Sequence, residues 1–307
     1  MFENLYGLSC IENQTLAILR NRGMDIRPLY RDCAMPIKEL FFFLIYHGNK
    51  QEYFDRITRV QDLAKELGII SLKLYGQTVN QKKSPIMQPQ HFNPEEMITA
   101  LRNIKENEYI LMRVTKEFTK ERLRARGLRN DHFVAITING NHFDVINDIP
   151  ETSLTLTIEE LNAAYDGEFF KLSLTRNITD ADRKKAHIDR VFKAEKNTGF
   201  TFDISDFDPV RRFPNEPKEV GIRMRNMVGV YKTLRYRMAE YYGQYINTDF
   251  IRKHMNEVEK YYSLFEYYNL KKNTPFERYF EVFCKLNQMD TELNEELKVQ
   301  LHKRIYA

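Results

Sequence analysis

Asp131 to Pro150, DHFVAITINGNHFDVINDIP, constrains this chain more than any other stretch. His132–Ile138 alternates apolar and polar side chains, Asn139-Gly140-Asn141 carries turn chemistry, and His142–Asn147 returns, which predicts a β-hairpin. A histidine then opens one strand and an aspartate follows the end of the next, at the same end of the hairpin. Strand side chains alternate with a period of two, so the turn length decides which neighbour shares the face of His132. A three-residue loop pairs Ile138 with His142 and His132 with Asp148, their Cβ atoms roughly 5 Å apart. A two-residue loop pairs 132 with 149 and brings Asn147 to that face instead. The expectation is the first register, with Asp148 fixing the imidazole tautomer and stabilising imidazolium. His142 falls at the far end and reads as an exposed strand residue.

A histidine and a carboxylate call for a nucleophile, and the candidate is far upstream. Ser9-Cys10-Ile11-Glu12 reads as a capping box, with Ser9 accepting from the backbone near Glu12 and Glu12 reaching back to the cap. Ile11, Leu16, Ile18 and Leu19 form the apolar stripe of the helix, and Arg20, Arg22 and Gly23 close it. Cys10 therefore lies in the first turn, where the helix dipole favours thiolate, the form that attacks carbonyl carbon. The competing reading is a small core residue. Three cysteines, Cys10, Cys33 and Cys284, with no CxxC spacing argue against a disulfide framework or a Cys-based metal site and for a reducing, cytoplasmic setting. Cys33 and Cys284 read as structural.

The 307 residues suffice for one domain with a large appendage or for two domains. A formal charge of +4, with acidic residues interleaved among the basic ones, does not point to nucleic acid. The first twenty-five residues carry charges throughout and do not read as a signal peptide or anchor. The longest apolar run, Leu40 to Tyr46, has seven residues, far short of a membrane span.

Along the chain, Gln51–Leu67 reads as a helix, Ile69–Tyr75 as a strand and Gly76–Phe92 as an exposed loop. A helix follows from Asn93 to about Lys105, then a buried strand at Tyr109–Val114. The connector Thr115–Asn130 sets six cations against two anions; Arg122, Arg124 and Arg126 are candidate contacts for an anionic substrate or partner, against a plain solvated helix face. A helix from Thr155 and a strand at Glu168–Thr175 complete this region. Beyond Asp180 the pattern is helical near 180–196, 219–243, 248–269 and 275–304, with a break near 289 and a link at 199–217. Asp203, Asp206 and Asp208 in that link lack EF-hand spacing. The doublets Tyr241-Tyr242, Tyr261-Tyr262 and Tyr267-Tyr268 read as core by default, with a pocket or homodimer surface as alternatives.

Ser9-Cys10 leading a helix that ends Leu19-Arg20-Asn21-Arg22-Gly23, with His132-Phe133-Val134 and Asp148-Ile149-Pro150 downstream, resembles the butirosin biosynthesis protein H family. That family is similar to papain-like bacteriocin-processing cysteine peptidases, and the likeness covers roughly residues 1–176. It implies an α+β chain: a papain-like cysteine-peptidase fold, 1–176, with a C-terminal all-helical extension, 177–307. It also implies an acyltransferase of antibiotic biosynthesis, with Cys10 as nucleophile, His132 as base and Asp148 as third member. Asn4, six residues before Cys10, stands where papain-like peptidases place an oxyanion-stabilising Gln, and offers a shorter amide donor. The implied donor is the phosphopantetheine arm of an acyl or peptidyl carrier protein, the acceptor a small-molecule amine, and no metal is required. A cysteine peptidase or amidase, a thioester hydrolase or cyclase on the same triad, and a non-catalytic carrier-binding module remain open alternatives.

Overall fold

The computed structural model describes residues 5–46, 59–76, 93–125, 132–196, 217–271 and 274–305. Its elements are α1 (Cys10–Asn21), α2 (Ile37–Phe41, continued by a π-helical turn Phe42–Tyr46), α3 (Val60–Glu66), β1 (Ile70–Gly76), α4 (Glu95–Arg102), β2 (Glu108–Val114), α5 (Lys116–Glu121), β3 (His132–Asn139), β4 (His142–Asn147), β5 (Thr152–Leu156), α6 (Ile158–Ala164), β6 (Tyr165–Leu174), α7 (Asp180–Lys196), α8 (Pro217–Tyr242), α9 (Asp249–Leu270) and α10 (Phe276–Ile305). The chain is thus α+β, and it divides into two compact units. One is Met1–Asp25 with Val60–Ile178; the other is Ile26–Arg59 with Thr179–Ala307. The expected division at 176 therefore misassigns the stretch after α1, which groups with the helical tail. Among the described residues no helix is long and apolar enough to cross a membrane.

The first unit is built on an antiparallel sheet in the order β1-β6-β2-β3-β4-β5. Asn139 pairs with His142, and Gly140 takes a φ of 61°, so the hairpin closes with two residues rather than the expected three. Ala135 accordingly faces Ile146. Alternation gathers Ile110, Met112, Val114, Val134, Ile136 and Val145 into one core, closed by Met97, Ile98 and Leu101 of α4, Phe118 of α5 and Leu161 of α6. α1 packs on β3, and α3 on β1. The strand Thr152–Leu156 replaces the helix start expected at Thr155. Its β-branched residues pair with β4, and the helix begins only after Thr157, whose hydroxyl and Glu160 form a complete capping box.

In the second unit α10 runs unbroken through the expected break near 289. Asp290 is buried there because it is fully paired. Its Oδ1 accepts from Tyr231 Oη at 2.8 Å and from Arg235 Nη2 at 2.5 Å, and its Oδ2 accepts from the Ile37 N–H at 2.7 Å. Arg235, fully buried, also donates to the carbonyls of Cys33 (2.6 Å) and Met35 (2.8 Å). This network holds the 33–37 segment to the helices and explains its place in this unit. Tyr231 Oη lies 2.6 Å from His254 Nε2. The single phenolic proton is directed to Asp290, so His254 Nε2 carries the donor hydrogen. Tyr241 and Tyr242 are core, whereas Tyr267 is half-exposed.

Two stability outcomes follow from this network. Asp290→Ala leaves the Arg235 charge buried without its partner and should lower unfolding free energy by about 3–5 kcal/mol, measured by urea denaturation. Burial, then the Arg235 charge, lowers His254 from 6.5 to about 4. The unfolded chain binds this proton near pH 6.5 and the folded chain only near pH 4. The His254 contribution is therefore complete above 6.5 and is lost as pH falls towards 4. The urea midpoint of the wild type should fall through that window more steeply than that of His254→Gln.

Candidate functional site

Ser9 caps α1: it is extended (φ −150°, ψ 163°) and its Oγ accepts from the Glu12 N–H at 3.2 Å. The return half of the box is displaced by one residue. Glu12, fully buried, accepts from the Leu8 N–H at 2.5 Å and from the Val60 N–H, at the start of α3, at 2.8 Å. The start of the nucleophile helix is thereby tied to the turn before it and to its neighbour.

Cys10 is the first residue of α1 and is partly exposed. The N–H of Phe133, two residues before the last β3–β4 pair, donates to Cys10 Sγ at 3.4 Å, so the thiol rests against the residue that follows His132. The thiolate expected from the helix dipole does not prevail. Burial raises the thiol to about 11, the Phe133 N–H pulls it down, and the Asp148 charge pushes it up again.

His132 opens β3. Its Nε2 lies 2.5 Å from Asn147 Oδ1, and 3.9 Å from Asp148 Oδ1. The two-residue turn is the reason: continuing its register sets 132 against 149, and Asn147 becomes the diagonal neighbour on the same face. Asn147 thus takes the hydrogen-bonding position expected for Asp148. The carboxamide is held the right way round, because its Nδ2 donates to the Pro150 carbonyl at 2.7 Å. Oδ1 must then accept, so His132 Nε2 bears the hydrogen, and in the neutral ring Nδ1 is the nitrogen with the lone pair.

Asp148 is 5% exposed. Its Oδ2 accepts from Asn13 Nδ2 at 2.8 Å, while its Oδ1 has no hydrogen-bond partner among the described residues. Asn13 Oδ1 accepts from the Gly7 N–H at 2.9 Å, and Gln14 Nε2 donates to the Ile146 carbonyl at 3.0 Å. A Cβ at Gly7 would sit 2.1 Å from Asn13 Oδ1, which reserves that position for glycine. Asn13 and Gln14 are the residues that an apolar-stripe reading misses. Their signal was present: they stand three and four positions after Cys10, on its helix face.

The remaining candidates are less tightly placed. Asn4 and Arg126 lie outside the described residues. Arg122 pairs with Glu160 at 2.9 Å on the exposed surface, linking α5 to α6, and Arg124 is exposed with a φ of 55°. Among the described residues no group of three or more His, Cys, Asp or Glu could hold a metal ion. The arrangement supplies a thiol, a ring with a lone pair, an amide that orients that ring, and a buried carboxylate beside them. Comparison with known families finds no family model that matches the chain, and comparison with curated proteins finds no match.

The electrostatics at Cys10 set a measurable profile. Iodoacetamide alkylation of Cys10, followed by peptide mass, should keep rising with pH until about 11. A plateau already reached by neutral pH would instead mean a preformed thiolate.

Proposed function

We propose that the first unit is a papain-like cysteine acyltransferase that moves an acyl group from a carrier-protein thioester through Cys10 to an amine. The observation that carries this reading is the Asn147-held ring: with Nε2–H committed to Asn147, the free base of His132 is Nδ1, on the residue next to the one that touches Cys10 Sγ. A nucleophile leading a helix, packed on an antiparallel sheet whose strand begins with the base, also fits the papain-like plan.

In the proposed reaction His132 Nδ1 takes the Cys10 proton, and the thiolate attacks the thioester carbonyl carbon. The C–S bond to the phosphopantetheine arm breaks, and the ring proton goes to the departing thiolate. The amine nitrogen then attacks the acyl-Cys10 carbonyl and gives a proton to His132. The bond to Cys10 Sγ breaks and that proton returns to sulfur, leaving an amide. The Cys10 backbone N–H, at the positive end of α1, is the assigned oxyanion donor. Asp148 stabilises the imidazolium from 3.9 Å. Arg122 and Arg124, with Arg126, are assigned to the anionic phosphate of the arm.

Incubation with an acylated carrier protein should add the acyl mass to Cys10, and Cys10→Ala should abolish it. Asn147→Ala should slow acylation by roughly 10²-fold, because the ring loses its orienting partner. Added amine rather than water should discharge the adduct. Absence of both adduct and thioester consumption would sink the reading.

A further inference from the structure

Cys10 and His132 stand 122 positions apart in sequence, and something must set one against the other. The side chain of Asn13 joins the turn before Cys10 to the hairpin that carries His132. Asn13 lies one helical turn after Cys10 on the same face, so a constraint on Asn13 is transmitted to Cys10 through rigid backbone. Its two ends have no ambiguity: the Gly7 N–H can only donate, so Oδ1 faces Gly7 and the amide hydrogens face Asp148.

We propose that Asn13 is a positioning residue of this site, holding the Asp148 carboxylate at a set distance from both Cys10 and His132. The inference rests on the acyl-transfer reading for its catalytic consequence, though not for its geometry.

Three observations carry it. Asp148 is 95% buried by its 5% exposure, and a buried carboxylate is retained only where hydrogen bonds or charge hold it. Among the described residues Asn13 supplies its one hydrogen bond. The other oxygen has no hydrogen-bond partner among the described residues and stands 3.9 Å from His132 Nε2, the distance at which a charge forming on the ring is felt while Asn147 keeps the N–H. Gly7 and Gln14 complete the docking. The missing Cβ at Gly7 admits the carboxamide, and the Gln14 bond to the Ile146 carbonyl fixes the helix along β4. Plain adhesion between helix and hairpin would not need a donor aimed at a carboxylate.

Three variants test this: Asn13→Ala, Asp148→Asn, and the exchange Asn13→Asp with Asp148→Asn, which preserves every hydrogen bond but moves the charge from hairpin to helix. Each is followed by melting temperature, by the pH dependence of Cys10 alkylation with iodoacetamide, and by kcat and KM for thioester consumption. The charge of Asp148 opposes thiolate at Cys10, so Asp148→Asn should shift the alkylation midpoint to lower pH, and Asn13→Ala should shift it the same way. Asn13→Ala should lower kcat roughly 10–100-fold with KM little changed, as expected of a misplaced reacting group. The exchange should recover the melting temperature but not kcat. An alkylation profile unchanged by Asn13→Ala, or recovery of kcat in the exchange, would overturn the proposal by reducing Asn13 to a structural tie. If Asn13→Ala does not fold, the exchange decides. If the wild type consumes no thioester, the acyl-transfer reading fails, and the alkylation profiles still judge Asn13.

Discussion

Because side chains on a strand alternate, the length of one turn selects the chemistry at the far end of the β3–β4 hairpin. Gly140 adopts a left-handed backbone and closes the loop with two residues, which puts Asn147 on the face of His132. One more residue in that loop would have set Asp148 there. The ring's tautomer then depends on an atom beyond the strand: the Pro150 carbonyl accepts from Asn147 Nδ2 and so turns Oδ1 towards His132. A chain of local choices thus runs from a glycine φ angle to which imidazole nitrogen is basic.

The helix that presents Cys10 is docked by a different kind of constraint. An apolar stripe alone allows a helix to rotate or slide with modest loss. The buried run Glu12, Asn13 and Gln14 does not, since each finds a partner in another segment: the Leu8 and Val60 N–H groups, Gly7 with Asp148, and the Ile146 carbonyl. Displacing the helix would leave buried polar groups unpaired at about 1–3 kcal/mol each. Polar pairing therefore specifies the docking that hydrophobic burial drives.

What was legible in the sequence was local. The Ser9 cap, the strand beginning at His132, the helix stop at Gly23 and the tail helices rest on capping chemistry and periodicity within a few residues. The turn length was not legible, because Asn-Gly-Asn accommodates positive φ at more than one position and so suits both loops. Strand β5 was hidden because its five residues end beside a genuine helix cap at Thr157. Asn13 was missed because amphipathic reasoning assigns polar helix residues to solvent. The grouping of residues 26–59 with the second unit depends on Arg235 and Asp290, 202 and 253 positions from the Cys33 and Ile37 atoms they bind. No local pattern announces such a pairing.

For the proposed acyl transfer, the raised Cys10 thiol governs when charge exists. Burial opposes the thiolate, yet the thiol and the S-acyl forms of Cys10 are both neutral, so burial opposes neither the resting state nor the acyl-enzyme. Thiol nucleophilicity falls as pKa falls, so the thiolate of a thiol held near about 11 is the stronger nucleophile once His132 has taken its proton. The leaving group follows the same rule. An ordinary alkyl thiol, less basic than a thiol held near about 11, departs from the tetrahedral intermediate more readily than Cys10 does. An amide offers no such advantage, since its nitrogen must first be protonated. In the proposed reaction this asymmetry suits a thioester rather than a peptide bond as the acyl donor. The same raised thiol takes its proton back when the amine displaces it.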